Sequence, residues 1–417
     1  MGEMGSSLRL LASLVRGVVI LILAGTGLCG CGTCRHREVP PLSDAPCHAR
    51  ECYPSVETPV AEGLAASMNV LAQAPPAGSR PLQVLALSGG VAGAPFTAGT
   101  LVGWSESGTR PQFDVVTGIS SGSLIGAYAF LGSKHDAELQ HLILTLNTSD
   151  LIQFRPLRCM LCDGAFGSAK PAERLIQRVF NDCFVAELRQ AHAEGRRFFV
   201  GTMNLETKRL VIWDVGAIAS SGRPDAGDLV RKVLLAAVSW PGAVPPVEFD
   251  IEVDGHCYHE QHCDAGSVGM AFVRFGQLPG WPAPGAAVRP GWLAGSNLYV
   301  LASRKLYSDP TPVPKRALCR VGPSVAAIFE ALTRADIDHL YSFCAVCGMH
   351  FHLLALPQDY HGAPPSISHL YPKEPRPLFE MGYERSVSGP LWRLTPPGAE
   401  PGEEPIPRDG SSIKSCR

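Results

Sequence analysis

The sequence has almost no net charge and no run of lysine and arginine long enough to form a basic patch. Its 36 basic and 38 acidic residues give a formal charge of -2, and charged residues make up only 18% of the chain. Without a positive field there is little to attract a phosphate backbone, so we expect no nucleic-acid partner. With 46% hydrophobic residues among 417, the chain can bury one large core or two modest ones.

The sequence also lacks a hydrophobic run long enough to cross a bilayer comfortably, because the apolar stretch near its N-terminus covers only residues 17–28. Two arginines precede this stretch, as in an export signal. The motif Leu28-Cys29-Gly30-Cys31 then resembles the lipobox of bacterial lipoproteins. This resemblance implies that residues 1–31 hold the signal and that Cys31 is the lipidated first residue of the mature chain.

A cleaved secretory signal without a lipid, or an uncleaved anchor, is the alternative interpretation of the N-terminus. In each case the rest of the chain lies outside the cytoplasm. Gly32 stands where lipoproteins of the inner membrane typically carry aspartate. We therefore predict an outer-membrane lipoprotein that faces the periplasm and touches the membrane through its lipid anchor, with secretion as the alternative.

Fourteen cysteines are typical of an oxidising compartment. Cleavage and lipidation of the signal leave twelve, an even number that permits disulfides without specifying their pairing. Cys159 and Cys162, like Cys344 and Cys347, have CxxC spacing, but the two pairs lie too far apart in sequence to indicate a local zinc site. Disulfides or buried free thiols are the favoured interpretation.

A second group of metal-ligand types crowds a short segment that contains His256, Cys257, His259, His262, Cys263 and Asp264. On a strand, alternate side chains face opposite sides, so these groups cannot all converge on one ion. We therefore predict that the chain binds no metal there.

Alternating strand and helix patterns predict an α/β fold, a three-layer α/β/α sandwich around a mostly parallel sheet. Residues 32–80 show no sustained period and read as a flexible tether; residues 81–390 form the folded domain, and residues 391–417 a disordered tail. The predicted strands cover residues 82–87, 113–117, 198–204, 209–214, 247–253, 256–260, 298–302 and 350–356. The predicted helices cover residues 95–105, 123–131, 136–146, 172–185, 227–238 and 323–343.

Two local signals lie outside these elements. Asp254-Gly255 indicates a hairpin turn, and the proline- and glycine-rich residues 278–295 indicate a surface insertion.

Ser120 is a candidate nucleophile because it lies in Gly118-Ile119-Ser120-Ser121-Gly122, between an apolar strand and a helix-like stretch. A serine on a sharp strand-to-helix turn adopts a strained backbone, and Gly118 and Gly122 let neighbouring chain pass close by. The N-terminus of the following helix favours negative charge at the same place. The sequence thus predicts a nucleophile elbow.

The first predicted strand ends in a glycine-rich loop, Ser88-Gly89-Gly90-Val91-Ala92-Gly93, which exposes backbone N–H groups at a helix start. The loop matches neither the dinucleotide-binding pattern nor the P-loop, so it predicts no nucleotide cofactor. A tetrahedral oxyanion fits better, because the elbow follows on the next strand. We expect the N–H groups of Gly89, Gly90 and Val91 to hold that oxyanion, with a purely structural turn as the alternative.

Three ordered motifs, namely this loop with its following helix, the elbow around Ser120, and Asp264-Ala265-Gly266, resemble those of patatin-like phospholipases. The resemblance runs from about residue 82 to about residue 383, and the segments 200–204 and 213–218 resemble the bacterial lipoprotein branch of the family. It implies an α/β/α sandwich and a dyad of Ser120 and Asp264 without histidine. It also implies hydrolysis of acyl esters in phospholipids or related membrane lipids, with no metal or organic cofactor.

Elementary chemistry is consistent with this dyad. A serine hydroxyl needs a neighbour that takes its proton, and an ordinary carboxylate is too acidic for that task at neutral pH. Burial in an apolar cleft raises the proton affinity of a carboxylate. Asp264 can then accept the proton of Ser120 and later help to activate water.

The chain departs from the family pattern at Val91, where a third glycine is usual, at Gly93, where Arg or Asn is usual, and at Ala265, where a glycine is usual. A side chain at a position that needs positive φ costs about 1 to 2 kcal/mol, and loss of one oxyanion donor slows turnover about a hundredfold. A lipid-binding envelope lipoprotein of the same fold with weak or no hydrolysis is therefore the alternative.

A Ser-Asp-His triad is the rival catalytic arrangement, with His350 or His352 as the third member. Both histidines lie on one face of a predicted strand. The alternative interpretation is that they are packing or surface residues.

Overall fold

A nine-stranded mixed sheet forms the centre of the protein, in the order β1-β7-β6-β3-β2-β10-β11, with β9 paired to β6 and β8 paired to β9. The computed structural model describes residues 55–57, 80–155, 165–253, 256–275, 292–309, 317–361 and 370–403. The strands of the sheet are β1 Ser55–Glu57, β2 Gln83–Leu87, β3 Val115–Ile119, β6 Arg197–Asn204, β7 Arg209–Asp214, β8 Val247–Val253, β9 His256–Asp264, β10 Asn297–Ala302 and β11 His350–Ala355. A separate ribbon pairs β4 Gln153–Phe154 with β5 Gly167–Ser168.

Helices cover the sheet, and ten α-helices occur in the described residues. They are α1 Ala94–Glu106, α2 Ser121–Leu131, α3 Asp136–Thr145, α4 Thr148–Leu151, α5 Lys170–Val179, α6 Asp182–Ala193, α7 Val215–Ala219, α8 Ala226–Val238, α9 Ala317–Cys347 and α10 Arg376–Glu384. In the part of the chain that the structure describes, no helix is both long and apolar enough to span a bilayer.

The side chains of each strand alternate between the two faces of the sheet, so the hydrophobic core has a part on each face. On β2, Leu85 and Leu87 belong to a cluster that includes side chains of α1, α2, α6 and α8. Val84 and Ala86 belong to a second cluster that includes side chains of α9. Successive residues of a strand point to opposite faces, so an unbroken apolar strand is buried on both sides. The predicted α/β fold with a mostly parallel central sheet is confirmed.

Strand β6 has two partners along the same edge, and this arrangement positions the candidate site. Its first part runs parallel to β3, up to the pairing of Gly201 with Ile119. Its last part runs antiparallel to β9, from the pairing of Thr202 with Asp264 onward. The end of β3 and the end of β9 therefore meet at adjacent positions of one strand, although more than a hundred residues separate them in sequence.

The helix predicted over residues 172–185 is wrong in one respect, because the structure has two helices, α5 and α6, in this region. The break comes at Phe180 and Asn181, and the Asn181 side chain accepts a hydrogen bond of 3.1 Å from the Phe184 N–H. Asparagine at this position accepts a hydrogen bond from a free N–H at the start of α6. This favours the start of a second helix over continuation of α5. Strand β9 also extends beyond the predicted residue 260, to Asp264.

Segments on both sides of the predicted domain carry structure. β1, inside the predicted tether, pairs antiparallel with β7. Within the predicted disordered tail, Arg393 forms a bridge with Leu353 of β11, and its guanidinium pairs with Glu403. Backbone pairing and this ion pair hold residues up to 403 against the domain. The remaining tether and tail residues, Cys31, the Asp254-Gly255 turn and residues 278–291 lie outside the described residues.

The cysteines of the described residues include five free thiols. Cys344 and Cys347, the CxxC pair on α9, are buried in the core, while Cys183 and Cys257 are exposed. Burial raises the pKa of Cys344 to about 12 and that of Cys347 to about 11, so both remain neutral thiols. The fifth, Cys263, is buried and directly precedes Asp264 in the sequence. Cys159 and Cys162 lie outside the described residues.

Candidate active site

Ser120 occupies a strained position between β3 and α2. Its φ of 54° and ψ of -129° fall where side chains other than glycine are rarely found, and α2 begins at the next residue. The residue is partly accessible to solvent. The structure thus has the predicted elbow, with the serine side chain at the edge of the sheet.

Close backbone approach explains both glycines of the elbow. A Cβ on Gly118 would lie 2.6 Å from the carbonyl oxygen of Gly122, and a Cβ on Gly122 would lie 2.6 Å from the carbonyl oxygen of Leu87. Real Cβ atoms do not come this close, so a side chain at Gly118 would push α2 away from β3, and one at Gly122 would push α2 away from β2. Gly118 and Gly122 are therefore the residues that make the sharp turn possible.

Asp264 is the last residue of β9 and is 7% exposed. Its backbone N–H donates to the Ser239 carbonyl at 2.9 Å, and its Oδ1 accepts a hydrogen bond of 2.8 Å from the Gly266 N–H. Burial raises the pKa of Asp264 to about 6, while the Ser120 hydroxyl, the Gly266 N–H and the Arg304 charge act in the opposite direction.

The structure brings Ser120 and Asp264 together. The Ser120 side chain is close enough to the Asp264 carboxylate for its hydrogen bonding to lower the carboxyl pKa. This meeting follows from the two partners of β6, since Ser120 comes directly after Ile119 and Asp264 pairs with Thr202. A partly exposed hydroxyl now adjoins a buried carboxylate that is ionised at neutral pH and has an unusually high proton affinity.

The glycine loop after β2 supplies fewer free N–H groups than the sequence predicted. The N–H of Gly89 donates to the Met270 carbonyl at 3.2 Å, so the assignment of Gly89 as an oxyanion donor is not supported. Gly89 has a different use, because a Cβ there would lie 3.2 Å from the Cβ of Ser120. Among the described residues, no acceptor is found for the N–H groups of Gly90 and Val91.

Two departures from the family pattern carry no backbone strain. In the described residues, the only non-glycine residues with positive φ are Ser120 and Lys208, so Val91 and Ala265 adopt ordinary conformations. Gly90 does need to be glycine, because its φ is 144°. The strain considered for Val91 and Ala265 is therefore absent.

The third departure, Gly93, has a steric reason. A Cβ on Gly93 would lie 2.0 Å from the carbonyl oxygen of Ser303, so no other residue fits. Ser303 is held in place by its own contacts, since its N–H donates to the Ser88 hydroxyl at 2.9 Å and its hydroxyl lies 2.8 Å from that of Thr97. The segment after β10 thus covers the loop where the family usually has a side chain.

Sequence reasoning missed Ser303 and Arg304, which follow β10. A usable signal existed, because β10 was a predicted strand and the carboxyl ends of parallel strands share one edge of a sheet. The pairing of Leu301 with Leu87 puts the residues after β10 beside the glycine loop.

The metal-ligand types of β9 have protein partners. His262 is fully buried between the Thr202 hydroxyl, 2.9 Å from its Nδ1, and the Glu260 carboxylate, 3.1 Å from its Nε2. Cys263 is a buried thiol whose pKa burial raises to about 12, and His259 pairs with Asp250 on the neighbouring strand β8. No group of three or more His, Cys, Asp or Glu side chains among the described residues has a metal-binding arrangement.

The rival histidines lie away from the elbow. Strand β11 is separated from β3 by β10 and β2. His352 pairs with Tyr299, its Nε2 lies 3.0 Å from the Asn297 side chain, and its ring stacks on that of Tyr299. His350 is exposed at the start of the strand, which is the end opposite to the elbow. Neither histidine is placed to complete a triad with Ser120.

An α/β sheet with a nucleophile elbow at its strand ends defines a hydrolase-like architecture. Residues 85–272 match the family model of Patatin-like phospholipase, so this stretch, which includes Ser120 and Asp264, is a patatin-like phospholipase domain. The family is one of lipid acyl hydrolases. The chain is also similar to VipD from Legionella pneumophila, at 11% identity and a TM-score of 0.34 over 76% of this chain and 69% of that one. No curated protein matches the sequence.

Proposed function

We propose that this protein is a serine acyl hydrolase that cleaves ester bonds of phospholipids or related lipids through a dyad of Ser120 and Asp264. One observation carries the proposal, namely a partly exposed serine on a strained turn beside a buried carboxylate. Its occurrence inside a patatin-like phospholipase domain supports lipid esters as the substrate class.

In the first step, the Ser120 oxygen attacks the ester carbonyl while Asp264 accepts the hydroxyl proton. The N–H groups of Gly90 and Val91, together with the N-terminus of α2, offset the negative charge on the carbonyl oxygen. The tetrahedral intermediate then collapses, the ester C–O bond breaks, and Asp264 returns the proton to the leaving alcohol. The product is an acyl group on Ser120 and a free lyso-lipid or alcohol.

In the second step, water attacks the acyl-Ser120 ester, and Asp264 now accepts the proton of that water. Collapse of this intermediate breaks the bond between the acyl carbon and the Ser120 oxygen and releases a fatty acid, while Asp264 returns the proton to that oxygen and restores the hydroxyl. Burial of Asp264 matters in both steps, because a pKa of about 6 lets the carboxylate stay ionised at pH 7 and still take a proton readily.

Reaction with a fluorophosphonate tests the nucleophile, because covalent labelling requires both an activated hydroxyl and an oxyanion pocket. We expect the full-length protein to label at Ser120, to release fatty acid from phospholipid and short-chain esters, and to lose both properties in Ser120→Ala. Ser133→Ala, at an exposed position two residues beyond the end of α2, is the matched control and should behave like the parent.

Two experimental results would contradict the proposed hydrolase. Equal labelling of parent and Ser120→Ala would assign the reactive group elsewhere. A parent protein that neither labels nor hydrolyses phospholipids, monoacylglycerols or chromogenic esters would favour the lipid-binding alternative, a protein that holds lipid without cleaving it.

We further propose that the protein is an outer-membrane lipoprotein anchored through a lipid on Cys31. The lipobox-like motif before Cys31 supports this proposal. An anchor of this kind would hold the active site close to membrane lipids and raise their local concentration.

A further inference from the structure

The segment after β10 is fixed against the glycine loop of the candidate active site. Ser303 hydrogen-bonds both Ser88 and Thr97, and its carbonyl oxygen occupies the space where Gly93 has no side chain. The next residue, Arg304, therefore starts from a rigid position at the carboxyl edge of the sheet, beside the loop that carries the free N–H groups.

The Arg304 side chain runs along this loop. Its Cγ lies 3.3 Å from the position that a Cβ on Gly90 would occupy, and its guanidinium lies over the Phe329 ring at 5.3 Å from the ring centre. Desolvation lowers the pKa of Arg304, against the charges of Glu330 and Asp264. The group is nonetheless charged at any physiological pH, since arginine is so basic.

Among the described residues, no hydrogen-bond acceptor is found for this largely desolvated cation. The Nε–H of Arg304 is shielded from solvent without a hydrogen-bond partner, and within the described residues no carboxylate oxygen lies within 4.0 Å of its guanidinium. Glu330 of α9, whose charge acts on Arg304, accepts a hydrogen bond from Ser308 instead. A guanidinium N–H that is withheld from both water and protein, as the Nε–H of Arg304 is, is unfavourable unless an anion completes the site.

Proximity to the dyad indicates which anion this is. The charge of Arg304 lowers the pKa of Asp264, although the guanidinium and the carboxylate are more than 4.0 Å apart. In a glycerophospholipid the phosphodiester is separated from the ester carbonyls by only the glycerol carbons and oxygens. A lipid whose carbonyl meets Ser120 can therefore extend its phosphodiester toward Arg304, whose planar fork of donors matches phosphate oxygens.

We infer that Arg304 binds the phosphodiester of the lipid substrate, so that the enzyme selects phospholipids over neutral acyl esters. This inference rests on the proposed acyl hydrolase. Arg304 acts here as a specificity-determining residue, because it contacts the head group and not the atoms that react.

Kinetics with two monomeric substrates test the selectivity. For Arg304→Gln we expect kcat/KM for dihexanoylphosphatidylglycerol to fall about 10- to 100-fold, mostly through KM, because a charge-assisted hydrogen bond is lost. Hydrolysis of p-nitrophenyl butyrate should fall much less, because this ester has no phosphodiester, so the ratio of the two kcat/KM values should drop at least about tenfold. Arg304→Lys should retain part of the selectivity, since it keeps the charge without the fork. Arg376→Gln removes an exposed arginine from α10 and controls for net charge.

A proportional loss on both substrates would overturn the inference and make Arg304 a support of the dyad. No loss on either substrate would also overturn it.

A binding experiment separates this inference from the proposed reaction, because it needs no turnover. By calorimetry, Ser120→Ala should bind dihexanoylphosphatidylglycerol at least about tenfold more tightly than the double variant Ser120→Ala with Arg304→Gln. Both should bind dihexanoylglycerol equally. Equal affinity of the two variants for the phospholipid would refute phosphodiester binding even if the parent hydrolyses esters. An inactive parent with the expected binding difference would refute the hydrolase alone.

Discussion

At the scale of single residues, two unfavourable features lie side by side in the candidate site. Ser120 adopts a backbone conformation that costs about 1 to 3 kcal/mol, and Asp264 is a carboxylate removed from water. Hydrogen bonding by Gly266 and close packing at Gly118 and Gly122 hold both groups in place. Backbone strain at Ser120 and desolvation of Asp264 lower the stability of the fold in favour of function. The desolvation of Asp264 has consequences for both activity and stability.

Activity should depend on the protonation of Asp264. Since burial raises its pKa to about 6 and only the ionised form accepts a proton, kcat/KM should be level above that pH and fall about tenfold per unit below it. Asp264→Asn should lower kcat/KM at least about 100-fold throughout. The measurement is a pH profile with a soluble chromogenic ester; an acid limb with a pKa near 4 would contradict a desolvated base.

Stability should move in the opposite direction. The folded state binds the Asp264 proton more strongly than the unfolded state, whose pKa is near 3.8, so the penalty is complete above pH 6 and disappears as the pH falls toward 4. Asp264→Asn should therefore raise the free energy of unfolding by up to about 3 kcal/mol at pH 8 and have little effect at pH 4. Urea titrations at the two pH values measure this difference; a destabilised variant at pH 8 would contradict it.

At the scale of elements, α1 and α10 pack with their backbones in contact. A Cβ on Gly99 would lie 2.0 Å from the Phe379 carbonyl oxygen, and one on Gly382 would lie 2.2 Å from that of Phe96. Helices approach this closely only where glycine leaves room. This packing ties the helix after the glycine loop to a segment near the C-terminal end of the domain.

Alanine at Gly99 should force these helices apart. We expect Gly99→Ala to lower the free energy of unfolding by about 2 to 4 kcal/mol, as overpacked core substitutions do, measured by urea or thermal denaturation. Gly227→Ala is the matched control on α8, where a Cβ meets only the flexible ends of the Arg231 and Asp182 side chains, at 3.1 and 3.5 Å. That change should be neutral or stabilising by about 0.5 to 1 kcal/mol. Equal effects of the two substitutions would contradict the close helix contact.

Elements themselves were largely predictable, because their signals are local. The apolar run of β2 and the strand-to-helix turn at Ser120 are encoded by neighbouring residues, and the structure has both. The break between α5 and α6 was missed, since a capping asparagine inside a helical pattern resembles an ordinary polar residue. Arg304 was missed for a different reason: its place after a predicted strand indicates the carboxyl edge of the sheet, but only the pairing of β10 with β2 puts it beside the glycine loop.

At the scale of the whole molecule, the proposed lipid anchor and the patatin-like domain would have separate tasks. Cys31→Ser should abolish incorporation of labelled palmitate and move the protein from the membrane fraction to the soluble fraction of an expressing bacterium. The purified variant should hydrolyse a soluble ester at the parent rate, within about twofold, since Ser120 and Asp264 belong to the patatin-like domain. Unchanged palmitate labelling in Cys31→Ser would contradict the proposed lipidation site.

By itself the sequence determined the α/β class and the elbow at Ser120, because period and glycine spacing are properties of the chain, and the resemblance of its ordered motifs to a family made Asp264 the expected partner. Only the tertiary structure decided how these residues act together. β6 pairs first with β3 and then with β9, which joins serine and carboxylate, and Met270 takes the N–H of Gly89. Burial, pKa and access to a donor depend on distant chain segments that pack together, and no local pattern records them.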